Sequence, residues 1–153
     1  MGHYKLAKQD VIMIEIKFRV WDKKEKKFLS GGDWIEYAIT LDGCLIEAHE
    51  TRGTDRLNLD DYSIEQYIGL PDKDGREIYE EDIVNIFEGN KSFRAKIEYG
   101  SGCFNLVSLK GYTYSPVGFC AHEIEVIGNI HQNPELWSSH DTRTDERIGT
   151  GNE

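Results

Sequence analysis

The stretch "IVNIFEGNKSFRAKIEYGSGCFNLVSL", residues 83–109, decides the fold. Residues 83–87 are β-prone, "EGNK" reverses the chain, and the next run sets Phe93, Ala95, Ile97 and Tyr99 on one side. A period of two is the mark of a half-buried strand. The "GSG" at 100–102, glycine-rich but without the lysine and helix of a phosphate loop, turns the chain into a third run, "CFNLVSL". Three runs joined by tight turns predict an antiparallel meander.

The same reading extends in both directions. Downstream of a Gly-, Tyr- and Pro-containing loop at 111–118, "HEIEVIGNI" predicts a last strand with Ile124 and Val126 on one face. Asn133-Pro134 reads as an N-cap with proline at the first helical position, so "PELW" predicts one helical turn. Upstream, "IEIKFRVW" at 14–21 puts Ile14, Ile16, Phe18 and Val20 on one side and Glu15, Lys17, Arg19 and Trp21 on the other. "DKKEKK" is too polar to bury and predicts a reversal, from which Phe28 and Leu29 return. In "WIEYAITL", 34–41, Ile35, Tyr37, Ile39 and Leu41 share a face. Asp42-Gly43 then predicts a hairpin turn of type I′, whose two central residues both need φ > 0. Residues 51–61 are polar and aperiodic, a connection. "YSIEQYIGL" suits a strand or a short helix, and Asp74-Gly75 marks a turn.

The fold class expected is therefore mainly β, built of antiparallel hairpins with little helix, and an SH3-like small barrel suits residues 77–130. The expected organisation is a flexible or non-native extension at 1–12, a β domain at 13–137 divisible into 13–60 and 61–137, and a disordered tail at 138–153, which has one large aliphatic residue in sixteen.

Composition narrows the function classes. Seventeen aromatic residues among 153 are enough for a core. No apolar run approaches the roughly 18 residues that span a bilayer, and "MGHYKLAKQDVIMI" lacks a long apolar leader core. A cytoplasmic protein without a membrane partner is the expectation. Cys44, Cys103 and Cys120 share no CxxC spacing and read as three buried thiols, and the five histidines form no zinc motif, so no cofactor is expected. The net charge of −10 divides into +4 over residues 1–29 and −14 over the rest. Such a surface repels a phosphate backbone, which makes nucleic acid an unlikely partner.

Three segments in order, "IEIKFRVWDKKEKKFL" (14–29), "QYIGLPDKDGREIYEEDIVNI" (66–86) and "EIEVIGNIHQNPEL" (123–136), together resemble the YopX family of phage and prophage proteins. The resemblance implies a prophage-encoded protein of a bacterial cytoplasm that forms a homo-oligomer, and it implies no activity. Family members commonly carry glycine where this chain has Glu81. A requirement for φ > 0 there would cost glutamate about 1 kcal/mol, and a position that is not strictly left-handed is the reading preferred.

Candidate chemistry concentrates in two places. Glu80 and Asp82, on one face of a strand and about 7 Å apart by the strand rise, could share a divalent ion with Glu77, as in a metal-dependent nuclease or hydrolase. The competing reading is a solvated strand entrance. The basic turn Lys23, Lys24, Lys26 and Lys27, with Arg19 and Trp21 beside it, and the loop aromatics Tyr112, Tyr114 and Phe119 form the expected interaction surface, for another copy or for a phage or host protein. His122, Glu123 and His131 lack a nucleophile or cleft and read as ordinary surface groups. The function expected is a non-catalytic, self-assembling or protein-binding module; the alternatives are the metal enzyme and an acidic nucleic-acid mimic.

Overall fold

The computed structural model describes residues 15–32 and 35–138. In chain order its strands are β1 (Phe18–Asp22), β2 (Lys27–Phe28), β3 (Ile35–Ile39), β4 (Leu45–His49), β5 (Gly53–Arg56), β6 (Tyr62–Pro71), β7 (Glu77–Tyr79), β8 (Asp82–Glu88), β9 (Lys91–Gly100), β10 (Cys103–Ser108), β11 (Thr113–Tyr114) and β12 (Ile124–Asn129). Helix is confined, among the described residues, to four short 3₁₀ turns. The chain is a mainly-β, antiparallel protein. The expected extension at 1–12 and the tail beyond residue 138 lie outside the described residues.

The meander read from residues 83–109 is β8, β9 and β10. It lies in a five-stranded sheet of order β11-β10-β9-β8-β12. The last strand thus returns beside the first, and the 3₁₀ turn Ala121–Glu123 feeds directly into it. That is the strand order of an SH3-like small barrel. Ile78, Val84, Ile86, Ala95, Ile97, Leu106 and Ile124 are fully buried in its core. The alternation holds best in β9, where Phe93, Ala95 and Ile97 are buried while Lys96 and Glu98 between and beyond them are less so, whereas β8 buries both Ile83 and Val84.

The outer edge of β12 is capped by the 72–76 turn. Asp72 is 2% exposed, and its carboxylate accepts from the backbone N–H groups of Asp74, Arg76 and Val126. The Lys73 N–H donates to the Ile124 carbonyl at 2.8 Å. An open edge that would invite another strand is closed by its own chain.

The four-stranded sheet, order β2-β1-β6-β7, crosses residue 60, since β1 pairs with β6 along its whole length. Residues 62–71 are therefore strand, not helix. β1 departs in part from its expected orientation: Val20 is 7% exposed as expected, but Ile16 and Phe18 on the same side are 66% and 44% exposed and Trp21 on the other side is 5% exposed. The face carrying Arg19 and Trp21 turns inward because it meets Glu65, Phe28 and His131, as described below.

The third sheet is β3-β4-β5. Its first hairpin forms where Asp42-Gly43 predicts it, with a different turn. Only Gly43 has positive φ, the Gly43 N–H donates to the Thr40 carbonyl and the Thr40 N–H to the Cys44 carbonyl, a type I turn closed by a left-handed glycine. Leu41 falls in that turn and is fully exposed. The type I′ turn occurs instead at Ser101-Gly102, both at positive φ between paired Gly100 and Cys103. β5 lies inside the expected connection. Its four residues are all exposed, so no apolar face marked it. The thiols also differ from expectation, with Cys103 and Cys120 exposed and Cys44 half-buried.

Candidate functional site

Two cross-strand pairs generate the chemically unusual part of the molecule. Register places Arg19 of β1 opposite Glu65 of β6, and Asp82 of β8 opposite Asn129 of β12. The pairs come from different sheets and meet face to face. Arg19 Nε donates to Glu65 Oε2 at 2.8 Å, and its Nη2 reaches Asp82 Oδ1. Asn129 Nδ2 bridges Glu65 Oε2 at 3.1 Å and Asp82 Oδ1 at 3.4 Å. The Tyr79 N–H donates to Asp82 Oδ2 at 2.9 Å. The guanidinium packs on the rings of Phe28 and Tyr79, 4.6 Å from each centroid. His131, just past β12, stacks on Trp21 and points Nε2 at Glu65 Oε1 across 3.3 Å.

Both carboxylate side chains are 1% exposed. Burial pushes the Glu65 carboxyl up to about 7, against the pull of Arg19. Burial likewise raises Asp82, opposed by Arg19, the Tyr79 N–H and Asn129, and it lowers His131. Desolvation penalises whichever form is charged, which explains the opposite directions for acid and base. Sequence reading missed Glu65, Arg19 and Asn129 as a site. The available signal was Arg19 on the same side of β1 as Trp21, and no pattern in one strand reveals that its partner carries Glu65.

The structure separates the expected acidic cluster. Glu77 binds Lys17 and the Tyr79 hydroxyl. Glu80 turns back to accept the Gln66 N–H at 2.8 Å. Asp82 lies in the buried cluster. The expected continuous strand is broken between them because Glu80 and Glu81 form the turn from β7 to β8, with Glu81 at φ 63. The preferred reading of Glu81 is thus corrected: the position is left-handed. It is held there by its N–H to the Ile97 carbonyl and by the Ile130 N–H to its own carbonyl, both 2.9 Å.

The expected interaction residues divide in the same way. Trp21 is buried, not exposed beside the lysines. Lys23 Nζ donates to the Asp60 carbonyl at 2.9 Å and Lys24 pairs with Asp61 at 2.7 Å, which neutralises part of the turn; Lys26 and Lys27 are exposed. Tyr114 and Phe119 pack on Phe93 with centroids 5.1 and 6.3 Å away, while Tyr112 stays 62% exposed. The basic turn and the aromatic loop belong to different sheets.

An open groove of about 920 Å³ lies between β1, β6 and the β3–β4 hairpin. Phe18, Leu29, Tyr37, Ile39, Leu45 and Ile64 line it, with Leu41 at the hairpin tip. Arg19 contributes to its wall, and neither Glu65 nor Asp82 does. Two side-chain groups have metal-ligand composition, Glu47–His49–Asp55 and Cys120–His122–Glu123, each with donor atoms within 4.8 Å. Each has one donor already engaged. Arg52 Nη2 sits 2.7 Å from His49 Nε2, and Glu123 accepts the Cys120 N–H at 2.7 Å.

Comparison with solved structures finds similar folds, among them the following two. Protein EF1440 from Enterococcus faecalis is 26% identical with a TM-score of 0.51, covering 82% of this chain and 99% of that one. Protein yopX from Bacillus subtilis is 21% identical with a TM-score of 0.56, covering 79% and 95%. A search of curated proteins finds no match. The three sequence segments that carry the family resemblance converge in the fold: Arg19 lies in the first, Asp82 in the second, and Asn129 and His131 in the third. The family model "YopX protein" matches residues 17–138, and the chain belongs to the YopX family.

Proposed function

We propose that the chain is a non-catalytic module, encoded by a phage or prophage, that assembles with copies of itself. The observation that carries this reading is the pairing of an exposed apolar knob with an apolar groove on one hairpin. Leu41 is fully exposed at the β3–β4 tip, beside the groove lined by Phe18, Ile39 and Ile64. Exposed Ile16 and Phe18 extend the apolar surface along β1. A two-fold axis next to such a hairpin brings each knob to the other copy's groove, so one self-complementary patch supplies both halves of the contact. Apolar burial is the driving force for such a contact.

Light scattering at micromolar concentration tests it. The expected mass is at least twice that of one chain, falling to a single chain in Leu41→Asp with Phe18→Asp. Leu41 is wholly solvated, so its replacement changes folding stability by less than about 0.5 kcal/mol. A strict monomer for the unmodified protein sinks the proposal.

A further inference from the structure

We propose that Glu65 and His131 hold one proton between Oε1 and Nε2, and that this proton makes the junction between the two larger sheets a pH-sensitive clasp. The geometry is that of a pair with no other outlet. Among the described residues, the buried Glu65 Oε1 and His131 Nε2 have no hydrogen-bond partner, and they lie 3.3 Å apart. Glu65 Oε2 is taken by Arg19 and Asn129, so only Oε1 is open to protonation. Trp21, stacked on the imidazole at a centroid distance of 5.4 Å and 12° between planes, fixes the ring edge toward Oε1.

Charge counting requires the proton. Arg19 is one cation facing two carboxylates, Glu65 and Asp82. Burial raises Asp82 as well, but Arg19, Asn129 and the Tyr79 N–H already occupy both of its oxygens, so the open site for a proton is Glu65 Oε1. Without a further proton the cluster would hold one uncompensated negative charge, which is strongly unfavourable at this depth. The other charged groups facing the pair do not supply it. Glu81, in the β7–β8 turn, adds negative potential and is itself paired with Lys96 of β9, which also binds Glu98. Lys23 of the basic turn is directed at the Asp60 carbonyl. Burial lifts the acid and depresses the base, so the proton resides on Glu65 Oε1 and is donated to Nε2 of a neutral imidazole.

The sign of the effect follows from the raised acid. Between its ordinary value of 4.5 and about 7, the folded chain retains a proton that the unfolded chain gives up, so the Glu65 contribution to stability falls as pH rises through this window. His131 acts in the opposite direction below 6.5, because its folded form takes up a proton less readily. The Glu65 part is isolated by comparison with Glu65→Gln, which mimics the protonated side chain and keeps His131. The unfolding constant of the unmodified protein, divided by that of E65Q, is expected to rise about 10-fold between pH 6 and pH 8. A ratio constant within twofold overturns the proposal. Carbon and nitrogen NMR of the unmodified chain tests it without a variant. A Glu65 carboxyl that titrates near neutrality beside a His131 Nε2 without hydrogen is expected. A Glu65 carboxylate ionised throughout pH 5–8, beside an imidazole that is neutral over that range, overturns it.

Discussion

Replacing Arg19 by leucine tests whether the buried charge cluster holds the two larger sheets together. The guanidinium is the only cation in contact with the Glu65 and Asp82 oxygens among the described residues, apart from a protonated His131. Both carboxylates are 1% exposed, so deleting their counter-ion leaves two acids in a dry site. Removing one partner of a buried pair costs about 3–5 kcal/mol. The contacts with Phe28 and Tyr79 add roughly 0.5–1 kcal/mol each, discounted because Arg19 is itself 24% exposed. A loss of about 4 kcal/mol at pH 7.5 is therefore expected, a large share of the roughly 5–15 kcal/mol available to a domain. Urea unfolding followed by tryptophan fluorescence measures it, with an unchanged slope showing that the native state is still compact. Acid should narrow the deficit. Without Arg19 both carboxyls rise further above their unfolded values, so the variant loses stability more steeply as pH increases and regains it on the way down to pH 5. Arg19→Lys should fall between the two, because a single ammonium cannot bind both acids through a fork. A deficit below about 1 kcal/mol at pH 7.5, or one that widens on acidification, would refute the reasoning.

Three further substitutions test the surroundings of β12. Asp72→Ala strips the acceptor from three backbone N–H groups and is expected to cost about 3 kcal/mol in chemical denaturation. Burial alone would raise the Asp72 carboxyl, yet the N–H groups of Val126, Arg76 and Asp74 hold it below 3.8. Its contribution is therefore complete above that value and lost as pH falls through the lower folded one, so Asp72→Asn should flatten the acid limb of the stability profile. Gly128→Ala would place a Cβ 2.7 Å from Asn133 Oδ1 and from Leu136 Cδ1. A cost of about 1–3 kcal/mol, read as a melting point lower by roughly 5 °C, is expected. An unchanged melting point would mean that the 133–137 turn yields freely.

The left-handed Glu81 shows how two effects can conceal each other. Glycine would relieve the backbone at φ 63, but it would also give up the Lys96 pair at 3.4 Å and enlarge the unfolded ensemble. Each amounts to about 1 kcal/mol or less, so Glu is tolerated where glycine would satisfy the backbone alone.

What the sequence determined by itself is local. Alternation located β9 and β12, because residues pointing into the core recur at every second position, and β-prone runs bounded by turns located β8 and β10. Turn chemistry placed the reversals at 42–43, 74–75 and 101–102, because a left-handed residue is needed at each. It did not choose the turn type at Asp42-Gly43, where Asp42 keeps a negative φ. It could not see β5, whose exposed polar residues carry no period. It also missed that β1 buries a second face: Val20 is buried as the alternation implies, but Trp21 on the opposite side is buried too. Pairing with β6 set Arg19 opposite Glu65, and the return of β12 beside β8 delivered Asp82, Asn129 and His131 to the same point. The carboxylates at 77, 80 and 82 look like one cluster in sequence and become three separate contacts in space. Glu65 and His131, 66 positions apart, become neighbours. A charge is read from one residue, but its cost and its partner are fixed by which strands meet, and strand pairing is a property of the whole chain.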